Sequence, residues 1–446
     1  MSENKPRILI VSSADPTKGP GILSRDWYFA YKQQGYDVDV LTLKRCDSHP
    51  DFLYVYDPTT RLYEIKTYIK DKIHKIYMRF WAAAHKCNRH YAPENIFFYL
   101  KEENPPVRVS RVLSKIHKNY DIVHILFWQE MLSFKTVSAL YRKLNCFFLF
   151  DCMDYSPMSG GCHFTGNCTR YKTGCGCCPA FDSMDPKDFT WQNVNYRRKV
   201  YEEIRPFVTG NSYMFGFYDQ SLLLKNISRI KSYPIIDQNL FKPLNPSSLY
   251  KQFGVSEDKK FKILFGCQNI SDERKGTKYL IEAINIFIKG LTTDERSSVL
   301  VMTIGQDFEL VKPLLKGIDT YDFGYISIER LASIYAFADV FLCSSVNDAG
   351  PMMVNQALCC GTPVVGFEMG ACLDAVKNQG TGYCAKLFDV EDFAKGITKI
   401  FRQTCIERAE MRSRCTDLSQ RMFSYEASVK RMIDGYRLYE TNKNRI

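Results

Sequence analysis

Two sets of side chains in this sequence have the types and spacing for chemistry. The first is shared between Asp272-Glu273-Arg274-Lys275-Gly276 and the stretch Ser344–Gln356, which reads SSVNDAGPMMVNQ. Arg274 and Lys275 sit where an apolar run gives way to a helical pattern. That places two cations beside a helix N-terminus, whose unpaired N–H groups and dipole add positive potential. Such a turn suits an anion, above all a diphosphate. The backbone N–H groups of Gly350, Met352 and Met353 form a second such turn, with Pro351 between them suited to a first helical turn because its missing N–H removes no helix bond. Asp348 stands in the loop beside the anion, and Gln356, about two turns along the helix, reaches back toward a ribose or polyol. The plainer reading of the same residues is a pair of ordinary βα turns, one with a capping Asp and one with a solvated basic pair.

The second set is Cys162, Cys168, Cys175 and Cys178, spaced C-x5-C-x6-C-x2-C within residues 160–180. Four thiolates this close can close a tetrahedral structural Zn²⁺ site, with C-x2-C as the anchoring chelate, and an iron–sulfur cluster would use the same ligands. Reduced cysteines packing a compact loop, or a disulfide, fit the same spacing.

The elements that must position these residues follow from periodicity. Arg7–Val11 is an apolar strand, SSADPTKGPG a polar loop containing Gly19 and Gly21, and an amphipathic helix runs to about Gln34 before the strand Val38–Thr42. This βαβ unit implies a parallel sheet with the loop at a strand's C-terminal edge. Strands near 121–126 and 146–150 continue it, so His124, Asp154 and the cysteine-rich loop should line the crevice beyond those strand ends. A hydrogen-bonded structural role is the simpler account of His124. Lys262–Gly266 opens a second α/β unit, continued by 300–304, 338–343 and 363–367, and from Val390 onward the pattern is helical and charged. The expected architecture is two Rossmann-like, doubly wound α/β domains in tandem, facing a central cleft.

With 446 residues the chain exceeds one ordinary core. Its 45% hydrophobic and 24% charged composition is that of a globular protein. Nothing in MSENKPRILIVSS reads as a signal peptide, and no run is long enough to span a bilayer, so the expectation is a cytoplasmic protein. Sixty Lys+Arg against 49 Asp+Glu give +11, compatible with an anionic substrate, an acidic membrane surface or nucleic acid. A long amphipathic helix is expected over 61–90, with Ile65, Ile69, Ile73 and Phe80 on one face and Lys72, Lys75 and Arg79 on the other. It either packs on the domain or touches anionic lipid at the inner face of the plasma membrane. Most of the 17 cysteines lie in apolar stretches and read as small buried hydrophobes.

An ordered set of motifs now accumulates: Gly19-Pro20-Gly21, Asp237-x3-Phe241-x-Pro243, Arg274-Lys275-Gly276, Gly324-Tyr325-Ile326, Ala338-Asp339-Val340-Phe341, Asp348 through Gln356, Gly361-Thr362-Pro363-Val364-Val365, and Phe423-Ser424-Tyr425. In this order they resemble the retaining glycosyltransferases of GT-B type, family 4. The GGCH…CGxCP loop is similar to one in a subset of that family acting in colanic-acid and exopolysaccharide synthesis. The resemblance implies a GT-B fold, with an acceptor-side domain over 1–240 completed by a helix over 422–446, and a donor-binding domain over 241–421. It also implies a nucleoside-diphosphate-sugar donor and a glycan or lipid-linked acceptor. Arg274 and Lys275 would stabilise the departing diphosphate, with Asp348 near the donor sugar, Gln356 on the ribose, and Tyr325 and Ile326 at the base. No cofactor is then required for catalysis. Asp348 and Gln356 both depart from the family's Glu, and Met153 stands where a His often precedes Asp154. Rival readings are a nucleotide-sugar epimerase, a degenerate or accessory GT-B protein, and a zinc-containing nucleic-acid-binding module. The cysteine loop offers too few basic residues for the last, and no nucleic-acid partner is expected.

Overall fold

The computed structural model describes residues 5–56, 101–315 and 317–443; the helix expected over 61–90 lies outside them. The chain divides into two units. The first comprises the described residues of Met1–Gly210, Phe215–Ser232 and Val429–Ile446, and the second Asn211–Met214 and Tyr233–Ser428. The main crossing therefore falls at Ser232/Tyr233, before the expected boundary at 240.

In the first unit, strands β1 (Ile8–Ser12), β2 (Val38–Lys44), β3 (Leu53–Tyr56), β4 (Ile122–Ile125), β5 (Phe147–Phe150), β6 (Phe207–Gly210) and β7 (Ser228–Lys231) form one sheet. Its order is β3-β2-β1-β4-β5-β6-β7, and every pair is parallel. β1, β4 and β5 are buried at every position, as an apolar strand covered by helices on both faces must be. The order reverses between β1 and β4, so the loops leaving the C-terminal ends of these strands border the natural ligand crevice of such a sheet. Gly21, after β1, is required sterically: a Cβ there would meet the Asp15 carbonyl oxygen at 1.8 Å.

The cysteine-rich loop follows β5 and is tied to the helix Phe189–Ile204 by that helix's polar face. Asp188 caps the helix by accepting from the Thr190 and Trp191 amides, and also accepts from the Cys178 amide at 2.8 Å. Asn193 donates to the Gly160 carbonyl, and Arg197 donates to the carbonyls of Ser156 and Ser159. The Arg197 guanidinium also meets Glu102 at 2.6 Å, both side chains being 1% exposed. An ion pair this deep is tolerated only because its remaining groups are satisfied: the second Glu102 oxygen accepts from the Phe134 amide.

In the second unit, β8 (Phe261–Asn269), β9 (Val299–Gln306), β10 (Asp319–Asp322), β11 (Val340–Cys343), β12 (Val364–Phe367) and β13 (Gly382–Ala385) form a parallel sheet of order β10-β9-β8-β11-β12-β13. Apolar side chains cover both faces, Leu264, Met302 and Phe341 on one and Ile263, Val301 and Leu342 on the other. This is the alternation of a strand buried twice over. The switch point lies between β8 and β11, and the first set of candidate residues lies in the loops that leave these two strands. The C-terminal pattern resolves into helices Val390–Phe401, Cys405–Phe423 and Tyr425–Lys443. Among the described residues, no helix is long and apolar enough to cross a membrane.

Candidate active site

After β8 the chain makes a short turn, Glu273–Lys275, whose N-cap Asp272 accepts from the Arg274 amide. Gly276 follows with φ +65° and leads into the helix Thr277–Lys289. A Cβ at Gly276 would stand 2.1 Å from the Ser344 carbonyl oxygen, so this turn packs directly on the loop leaving β11. The two loops are also hydrogen-bonded: the Val346 amide donates to Arg274 O at 2.8 Å, and Ser344 Oγ donates to Lys275 O at 2.7 Å.

This contact brings together Lys275 and Asp348, with Nζ–Oδ2 at 2.7 Å. The other Asp348 oxygen accepts from the Gly350 amide at 3.1 Å. Burial alone would lower the pKa of Lys275, but the Asp348 carboxylate outweighs it and the net shift is upward. The lysine is therefore a firmly held ammonium. A cavity of about 220 Å³ opens here, lined by Lys275, Thr277, Ser345, Asp348 and Gly350 through Met353. Pro351 serves as N-cap of the helix Met352–Cys359. The amides of Met352 and Met353 begin that helix and so have no carbonyl within it to donate to. One ammonium, one carboxylate and helix-start N–H groups thus line a single concavity, a fit for a phosphate-bearing ligand with hydroxyls nearby.

Other expected site residues lie elsewhere. Arg274 does not line the cavity; its guanidinium is turned onto Asp272, at 2.6 Å, within its own turn. Gln356 is 6% exposed and lies beyond the cavity wall. Tyr325, 74% exposed, and Ile326 lie in the loop after β10, also outside it. Asn211 was not foreseen: its amide donates to Ala349 O at 2.6 Å and supports the Asp348–Pro351 loop from behind. It lies so far from that loop in sequence that no local pattern marks it.

In the first unit, His124 is wholly buried, its ring 4.9 Å from Trp27 and its Nδ1 3.2 Å from Tyr31 Oη. It is a core group and does not line a crevice. Gly19 and Gly21 form the 3-10 turn after β1. Asp154 is 3% exposed; one oxygen accepts from the Ser156 amide and the other faces His163 Nδ1 at 2.7 Å. The four loop cysteines are electrostatic neighbours, and burial, then the nearby Cys178, Cys175 and Cys168, push the Cys162 thiol well up. They form no disulfide. Among the described residues, no group of three or more His, Cys, Asp or Glu side chains converges as a metal-ligand set. As placed, the loop is held by hydrogen bonds to the helix behind it.

Residues 251–420 match the family described as glycosyl transferases group 1. The match is confined to this stretch, which is less than half of the chain. Both loops of the Lys275–Asp348 cavity fall inside it. Among relatives, N-acetyl-alpha-D-glucosaminyl L-malate synthase of Bacillus anthracis is 23% identical over 40% of this chain and 45% of its own length. D-inositol 3-phosphate glycosyltransferase of Saccharomonospora viridis is 29% identical over 24% of this chain and 25% of its own. The chain thus matches less than half the length of these curated relatives. Whole-chain likeness is structural. Sucrose-phosphate synthase of Thermosynechococcus elongatus aligns with a TM-score of 0.64 at 18% identity, covering 98% of this chain and 100% of that one. HepE of Anabaena, solved in complex with UDP and glucose, aligns with a TM-score of 0.58 at 15% identity, covering 96% and 99%. The fold is GT-B, and the matched stretch lies within its second unit.

Proposed function

We propose that this protein transfers a sugar from a nucleoside-diphosphate sugar to a glycan or lipid-linked acceptor, with retention at the anomeric carbon, in the making of a cell-surface polysaccharide. One observation carries the donor half of this reading: Lys275, Asp348 and the start of the helix Met352–Cys359 line the same cavity of the second unit. The diphosphate takes the helix-start N–H groups and the Lys275 ammonium. As the glycosidic bond lengthens, negative charge grows on the diphosphate and the ammonium opposes it, with no metal required. Asp348 accepts hydrogen bonds from hydroxyls of the donor sugar. Arg274 acts at longer range, or after exchanging Asp272 for the phosphate. UDP is the first base to test, because HepE was solved with it.

The acceptor belongs to the first unit, and retention rests on the family resemblance of the motifs. Work at the cytoplasmic face of a membrane, through a basic surface, agrees with the net charge of +11. The test is a thermal-shift screen of the full chain against UDP, GDP and ADP sugars. A ligand at a hundred times its Kd adds about 2.7 kcal/mol, enough to raise the melting temperature by several degrees. No shift with any of them removes the donor site.

A further inference from the structure

We infer that Cys343, in the wall of the Lys275–Asp348 cavity, is a site of reversible thiol oxidation by peroxides, with Cys372 as its resolving partner. The inference rests on the reading above only for what fills the cavity, not for the sulfur chemistry. Cys343 ends β11 in register with Gly366 of β12, and Gly366 pairs in turn with Cys384 of β13. Gly366 leaves the space that a sulfur fills: a Cβ there would stand 2.5 Å from Cys372 Sγ and 3.5 Å from Cys343 Cβ. Cys372 opens the short helix Cys372–Ala375 and is wholly buried. Cys343 is 6% exposed and lines the cavity, whose volume of about 220 Å³ has room for hydrogen peroxide.

The Cys372 thiol donates to the Cys343 sulfur, and the Ser345 amide does so as well. The first bond outweighs burial. With the Ser345 amide and the Lys275 ammonium it holds the Cys343 pKa below the ordinary thiol value, against the nearby Asp348 carboxylate. The same bond pushes the Cys372 thiol well up, so that it keeps its proton. Cys267, also in the cavity wall, differs: its thiol donates to Asn269 O at 3.0 Å, and burial pushes its pKa up to about 11. The Cys343 thiolate attacks the terminal oxygen of a hydroperoxide. An S–O bond forms, the O–O bond breaks, and the leaving oxyanion takes a proton from water. Cys372 then attacks the sulfenic sulfur and gives its proton to the departing oxygen, so that an S–S bond forms and water leaves. Two thiols are oxidised and one peroxide is reduced.

The reduced full chain is treated with hydrogen peroxide and digested without reductant at Asp and Glu, which separates Cys343 from Cys372 and both from Cys359 and Cys360. Mass spectrometry is expected to find a Cys343–Cys372 cross-link that dithiothreitol removes. In Cys372→Ala the product should be a Cys343 sulfenic acid, trapped by dimedone, and Cys343→Ala should leave Cys372 a free thiol. One comparison needs no variant: iodoacetamide should alkylate Cys343 roughly tenfold or more faster than Cys267. Equal rates at these two cysteines overturn the inference, as does a Cys343 that stays a thiol under peroxide. So does a cross-link from Cys343 to Cys384 in place of Cys372. UDP, GDP and ADP are added in parallel. Slower oxidation of Cys343 with one of them supports the donor reading, and no protection by any counts against that reading while the sulfur result stands by itself.

Discussion

Lys275 Nζ lies 2.7 Å from Asp348 Oδ2, so the ammonium that would meet a phosphate is paired with a carboxylate. An incoming diphosphate must share that lysine with Asp348, and the two anions repel. Asp348→Asn is therefore expected to bind free nucleoside diphosphate as tightly as wild type or several-fold tighter. It should lose most of the extra affinity that the donor's sugar supplies. Calorimetric titration with the diphosphate and its sugar conjugate reads both effects. A variant that loses affinity for both in equal measure would mean that Asp348 only holds the loop.

The buried Glu102–Arg197 pair governs the stability of the first unit. Replacing Glu102 with Gln leaves a guanidinium 1% exposed without its anion, a loss expected to cost about 3–5 kcal/mol. Denaturant unfolding followed by tryptophan fluorescence measures it. The double replacement with apolar residues should recover only part, because the Phe134 amide and the Ser156 and Ser159 carbonyls lose their partners as well. Full recovery would contradict the role given to this network.

Acid sensitivity has a definite source in the second unit. Hydrogen bonding to Arg402, then to the Thr292 amide, lowers the Glu295 pKa from 4.5 to about 2. The unfolded chain takes up the proton first, so this group's contribution is present above about pH 4.5 and is lost as pH falls toward 2. Glu295→Gln should be less stable near neutrality and show a shallower acid limb in melting temperature between pH 4.5 and 2. Parallel acid limbs for wild type and variant would show that Glu295 is not a source.

Much of this was legible in the residues. The apolar runs that became β1, β5, β8 and β11 are buried on both faces, and such strands announce themselves by composition. Two edge strands did not: β3, Leu53–Tyr56, is half-buried and β10, Asp319–Asp322, is polar, so neither shows the signal of a covered strand. Of the cavity, Lys275, Asp348 and the helix start were readable because each lies at a strand-to-helix junction. Arg274 is paired with Asp272 two residues away, a partner that a count of cations does not reveal. His124 misled for a related reason. In a strand buried on both faces, alternation does not say which side chains reach the edge, and the partners that enclose it, Trp27 and Tyr31, come from a helix far away in sequence. His163 lay in a motif already noticed for its cysteines, and only the fold shows that Asp154 holds its ring.

The central claim is that Lys275 holds a nucleoside diphosphate in the second unit. Calorimetric titration of wild type and Lys275→Ala with the diphosphate found by the screen tests it most directly, with circular dichroism confirming that the variant is folded. The account predicts one site in wild type and affinity weakened by roughly tenfold or more in the variant, the scale of one charge-assisted contact. Equal affinity in the two proteins would contradict it.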